Sequence, residues 1–151
     1  MVIAMSEQLA ARLSVASLNT RGIAIRGSRL ASRYTVIGTE FEAGRADVVC
    51  FQEVFTYWHL RLLARRMPSF RHVSYRPSAL GPAGGLVTFS RRPVSSPDYQ
   101  GFGASPNILT AAGVRAESVG LLLTGKVALP GGPGYASDHI GLYANLLLAS
   151  P

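Results

Sequence analysis

Four consecutive apolar residues, Val48 to Phe51, constrain this chain's fold more than any other stretch. Asp47 precedes them and Gln52-Glu53 follows. The run is too short for a helix and rich in β-branched side chains, which suits a strand covered on both faces. Helical periodicity flanks it. Upstream, Leu30, Tyr34, Ile37 and Phe41 recur at spacings of four, three and four, with Ser28 as N-cap and Gly44 as stop. Downstream, Thr56 can cap a second helix with a stripe of Trp58, Leu62, Leu63 and Met67. Pro68 ends that helix, and Arg61, Arg65 and Arg66 cover its other side.

Further strands follow from alternation and turn chemistry. Leu13 to Leu18 reads as a strand closed by the polar turn Asn19-Thr20-Arg21-Gly22. Phe70 to Tyr75 alternates, a Pro and Gly loop follows, and Gly85 to Ser90 is its expected antiparallel neighbour. Two late strands are expected at Ser118 to Leu123 and Ile140 to Leu148, divided by a loop with Gly131, Gly132, Pro133 and Gly134. Between the halves, residues 93–113 are rich in Ser, Pro, Gly and Ala, with Ile108 to Ala112 a candidate helical turn. Strand, helix, strand, helix and then strands predict an α/β sandwich. At 151 residues the chain is one domain (1–151) large enough for a real core. It divides into an N-terminal part (13–94), a linker (95–113) and C-terminal strands (114–149).

Composition excludes several classes. One cysteine, Cys50, rules out disulfide scaffolds and cysteine metal clusters, and its apolar run places it in the core. No run of 18 apolar residues occurs, so no transmembrane helix is expected. Glu7 and Arg12 interrupt the N-terminus, which does not read as a signal peptide, so a cytoplasmic location is expected. The net charge of +7 is uneven: residues 1–92 carry +8 and residues 93–151 carry −1. Fourteen of the fifteen cations are Arg, whose planar fork suits phosphate, so nucleic acid or a phosphorylated small molecule is a natural partner. The competing reading is that Arg usage follows the coding composition of the source, since the arginines are spread over several elements.

Three polar groups stand at apparent strand ends: Asn19, Glu53 and the pair Asp138-His139. Singly, each has an ordinary explanation as a turn residue, a first-turn helix acid, or a loop acid with a surface histidine. Their order and framing point further. VASLNTRG (15–22), ADVVCFQEV (46–54), GGLVTFSRRPV (84–94) and YASDHIGLYANLLL (135–148) resemble, in that order, signatures of the endonuclease/exonuclease/phosphatase superfamily, to which deoxyribonuclease I belongs. The resemblance implies a four-layered α/β sandwich, here partial, of mixed and antiparallel sheets with flanking helices. It also implies metal-dependent hydrolysis of phosphate esters. By position, Glu53 would ligate magnesium (or manganese), Asn19 would help hold metal and phosphate, Asp138 would support the metal side, and His139 would be the catalytic histidine. Tyr75, Arg76 and Arg91 lie on presumed cleft loops and could contact phosphate. His59 and His72 read as structural.

The resemblance has gaps. The superfamily's Thr-His-Leu strand and Gly-Asp-Phe-Asn strand end have no counterpart, and Gly120 stands where an aspartate would orient the histidine. The chain thus resembles a member with an internal segment deleted, and weak or absent activity is expected. A non-catalytic module binding nucleic acid or another phosphorylated partner, or a decayed fragment, are the alternatives. Loss of second-sheet strands would expose sheet edges, so self-association through them is expected.

Overall fold

A computed structural model describes residues 11–23, 29–94, 114–130, 132–137 and 141–148. Within them the chain forms β1 (Ala11–Asn19), α1 (Leu30–Ala43), β2 (Val48–Gln52), α2 (Tyr57–Arg66), β3 (His72–Ser74), β4 (Val87–Ser90), β5 (Val114–Leu122), β6 (Val127–Leu129), β7 (Gly132–Gly134) and β8 (Gly141–Leu148). Six strands make one mixed sheet in the order β3-β4-β2-β1-β8-β5, and β6 pairs with β7 in a separate hairpin. β1 and β2 are parallel, joined through α1, while the other pairings of the large sheet are antiparallel. The class is α/β, as the residue pattern predicted.

Alternation decides which face each side chain meets. Ala16 and Leu18 of β1, Val49 and Phe51 of β2, and Val87 and Phe89 of β4 share one face and are buried. Against them pack Tyr34, Ile37 and Phe41 of α1 and Leu63 of α2, followed by Met67. Phe51 sits edge-on to Phe41 and to Phe89, with ring centroids 5.2 and 5.7 Å apart. The helices approach closely at Gly38, where a Cβ would lie 2.7 Å from the Cβ of Arg66. Asp47 ties the start of β2 to β1, since its carboxylate accepts from the Ser14 N–H at 2.9 Å and its own N–H donates to Ser14 O at 2.8 Å.

Several expectations change. Val48 and Cys50 are half-buried because they point to the face without helices, so β2 is covered on one side and Cys50 lies outside the core. Of the expected α2 stripe, Leu63 and the following Met67 are buried, but Trp58 is 50% exposed and Leu62 half-buried, and Leu60 takes the buried place at a helical spacing to Leu63 and Met67. The residue preceding α1 is Arg29, in a left-handed conformation (φ 46°) with no side-chain cap, and Ser28 lies outside the described residues, as does the 108–112 turn. Thr56 caps α2 as expected, accepting from the His59 N–H at 3.2 Å. The Gly-rich stretch expected to be a loop contains the β6–β7 hairpin.

Candidate active site

The carboxyl ends of β1 and β2 lie side by side, Asn19 opposite Gln52. Strict alternation would send residue 53 to the helix face, with Val49 and Phe51, and Asn19 to the other. Glu53 escapes this because its backbone is left-handed, with φ 62°. Its Oε1 then accepts a hydrogen bond from Asn19 Nδ2 at 2.8 Å, while its Oε2 is buried and has no hydrogen-bond partner among the described residues. A non-glycine residue in this region costs on the order of 1–3 kcal/mol and persists where the surroundings enforce it.

Those surroundings are specific. Tyr34, fully buried on α1, donates from its hydroxyl to Glu53 O at 3.1 Å and lies 2.6 Å from the Thr20 hydroxyl. Burial pushes the Tyr34 hydroxyl up to about 12, so it stays a neutral donor. Gly22 closes the other side: a Cβ there would lie 1.6 Å from Glu53 O. The Val54 N–H donates to Gly85 O at 2.9 Å, which fixes the chain leaving Glu53 against the turn before β4. His59 stacks on Tyr34 with ring centroids 4.8 Å apart, and its buried Nδ1 has no partner among the described residues. Burial first, then the Arg33 charge, lowers its pKa.

Arg33, also on α1 and 5% exposed, reaches the opposite wall. Its guanidinium donates to Ala136 O at 2.9 Å and to the carbonyls of Thr20 and Arg21. The Ser137 hydroxyl donates to Asn19 O at 2.6 Å. The segment that runs into Asp138-His139 is therefore fastened to the end of β1 up to Ser137. Asp138 and His139 themselves lie outside the described residues.

The sequence-predicted residues thus divide. Asn19 and Glu53 are in contact, and Ser137 brings the chain to them. Tyr75 and Arg76 follow β3, where Ala83 N–H donates to Arg76 O at 2.7 Å in the same turn that receives Val54. The Tyr75 ring is 6.2 Å from that of Tyr57. Arg91 is not brought to Glu53. It sits beyond β4 beside the start of β2, where its guanidinium donates to Ala46 O, Glu42 O, Phe41 O and the Ser69 hydroxyl and covers the Phe70 ring at 4.2 Å. Gly120 faces the Tyr143 ring, 2.4 Å from where its Cβ would stand, so an aspartate there would displace that ring.

Tyr34, Thr20 and Arg33 were not singled out from the sequence as site residues. Arg33 stands three residues after Leu30 and four before Ile37, which puts it on the buried stripe; an arginine at such a position needs fixed acceptors, and that is a legible signal. A cavity of about 500 Å³ lies elsewhere, on the helix side of the sheet beside Phe41, Leu122 and Tyr143, and does not include Asn19 or Glu53. Among the described residues no three His, Cys, Asp or Glu side chains cluster as a metal cage, and no helix is long and apolar enough to cross a membrane.

Comparison with protein-family models matches residues 16–148 to the Endonuclease/Exonuclease/phosphatase family. Comparison with curated proteins gives no match.

Proposed function

Because the chain belongs to the endonuclease/exonuclease/phosphatase family, we propose that it is a divalent-metal-dependent hydrolase of phosphate esters, with weak turnover. The observation that carries this reading is the Glu53 carboxylate, one oxygen anchored by Asn19 and the other buried with no hydrogen-bond partner among the described residues, on a strained backbone. A buried lone carboxylate oxygen is costly unless a cation completes it. Glu53 fits magnesium, which accepts one or two carboxylates and keeps several waters, so a three-residue cage is not required. Bound there, the ion would polarise a phosphoryl group and offset charge on the departing oxygen.

The chain's own residues supply the rest. Asn19 holds the carboxylate and has its main-chain carbonyl held in turn by Ser137. Asp138 supports the metal side, and His139 exchanges a proton with the attacking water or binds phosphoryl oxygen. Tyr75 and Arg76, on the neighbouring rim, contact the phosphate. Gly120 stands where the family places the aspartate that orients this histidine, and the absence of that carboxylate from position 120 supports the reading of weak turnover.

Hydrolysis of bis-p-nitrophenyl phosphate is the test, run with magnesium, with chelator, and with Glu53→Gln and His139→Ala. Metal-dependent turnover lost in both variants is the expected result; turnover indifferent to chelator would refute the proposal. A second reading, a phosphate-binding module without turnover, is favoured by the +8 charge of residues 1–92. It requires affinity for nucleic acid that falls steeply with salt.

A further inference from the structure

The sheet has a second face. Its cross-strand rows run Val48, Val15, Ala144, Val119 and then Cys50, Ser17, Leu142, Leu121, with Leu13 and Leu146 beyond. These ten positions hold no charge, and nine are apolar or cysteine. Both helices pack on the opposite face, and none of the ten is buried: Val119 is 66% exposed, Leu121 59% and Leu142 51%. Isolated exposed hydrophobics are ordinary, but a contiguous uncharged patch across four strands is not.

We infer that this face packs against the same face of a second copy of the chain, forming a twofold dimer in which two sheets enclose an apolar layer. β1, β8 and β5, about 26–30 Å long, and the shorter β2, about 16 Å long, lie about 4.8 Å apart and outline about 500 Å². Two such faces bury about 1,000 Å², the lower bound for a specific interface, so a weak, reversible dimer is expected. The surface is its own complement: two uncharged, alternating apolar faces pack about 10 Å apart, as in any sheet sandwich, and isologous pairing is the commonest closed assembly. The excess positive charge of each copy lies off the patch and opposes approach, so salt strengthens the dimer. The chain's own residues 95–113 are a poorer cover, offering Tyr99, Phe102, Ile108 and Leu109 as large apolar side chains against ten positions. This locates self-association on the face, whereas the sequence suggested the sheet edges, which are β3 and β5.

Sedimentation velocity from about 1 to 100 μM tests it. A reversible monomer–dimer equilibrium is expected, tightening between 50 and 500 mM salt. Leu121→Lys and Leu142→Lys, both at exposed positions, should each weaken it at least tenfold with unchanged circular dichroism. Should those variants fold poorly, the unaltered chain gives a second readout: maleimide labelling of its sole cysteine, Cys50, should slow at least threefold as concentration rises. A monomer at 100 μM, a dimer untouched by both substitutions, species growing past dimer, or flotation of monomer with neutral lipid vesicles would each overturn the inference.

Discussion

Replacing Tyr34 by Phe removes one oxygen from the molecule and leaves the ring on His59 in place, which makes it a sharp test of what holds Glu53. Three close contacts meet around the Tyr34 and Thr20 hydroxyls: Thr20 to Gln52 O at 2.8 Å, Thr20 to Tyr34 at 2.6 Å, and Tyr34 to Glu53 O at 3.1 Å. Two hydrogens cannot fill three bonds. Gln52 O already receives the Thr20 N–H at 3.0 Å, so the arrangement that leaves no carbonyl bare runs from Thr20 to Tyr34 to Glu53 O, each bond polarising the next. In Tyr34→Phe the Thr20 hydroxyl can turn back to Gln52 O, and the group left bare is Glu53 O. An unsatisfied buried acceptor costs about 1–3 kcal/mol. Taking about 2 kcal/mol, a chain of this length should lose roughly 4–8 °C in Tm. Urea titration followed by circular dichroism measures the loss. Thr20→Val should cost less, and the double variant should fall short of the sum, because both belong to one chain of bonds. A Tyr34→Phe protein within about 0.5 kcal/mol of the parent would refute the relay.

Glu53→Gln should keep the fold, because a side-chain carbonyl can still accept from Asn19, yet abolish Mn²⁺ binding measured by electron paramagnetic resonance; retained binding would move the metal elsewhere. Gly22→Ala drives a methyl into Glu53 O and should destabilise by about 1–3 kcal/mol in chemical denaturation. His59 has a folded pKa below its unfolded value, so its contribution is present above about pH 6.5 and is lost as pH falls further. The acid limb of the stability–pH curve should therefore flatten in His59→Gln. Tyr34 has the opposite case: its folded pKa is raised, so stability is intact below pH 10 and declines toward about 12, a decline reduced in Tyr34→Phe.

Local pattern carried much of this architecture. The 3.6-residue spacing of Leu30, Tyr34, Ile37 and Phe41 is α1, Thr56 is the cap of α2, and the short apolar run after Asp47 is β2. What local pattern could not resolve depends on partners distant in sequence. Either Trp58 or Leu60 can join Leu63 and Met67 in a periodic stripe on α2, and only the position of the sheet selects Leu60 over Trp58. Cys50 follows Val49 with the same hydrophobicity but the other face, and which face the helices take is a tertiary choice. In the site, Asn19 and Glu53 were legible as polar residues ending strands. Their contact was not, because it rests on a backbone angle at Glu53 set by Tyr34 and Gly22, one on the helix between them and the other past the end of β1. Arg33 is similar: its acceptors at Thr20 and Ala136 are 13 and 103 residues away.

Under the proposed metal role, the left-handed turn at Glu53 sets two selective pressures against each other. Ranked on folding alone, glycine should outperform glutamate at this position, since it takes φ near 60° without steric cost. A library of all substitutions at position 53, sorted once for resistance to proteolysis and once for manganese retention, should therefore give opposite winners. A lineage relieved of its chemistry would drift toward glycine or asparagine here within few steps, so position 53 records, in a single side chain, whether this scaffold is still being kept for something other than its own stability.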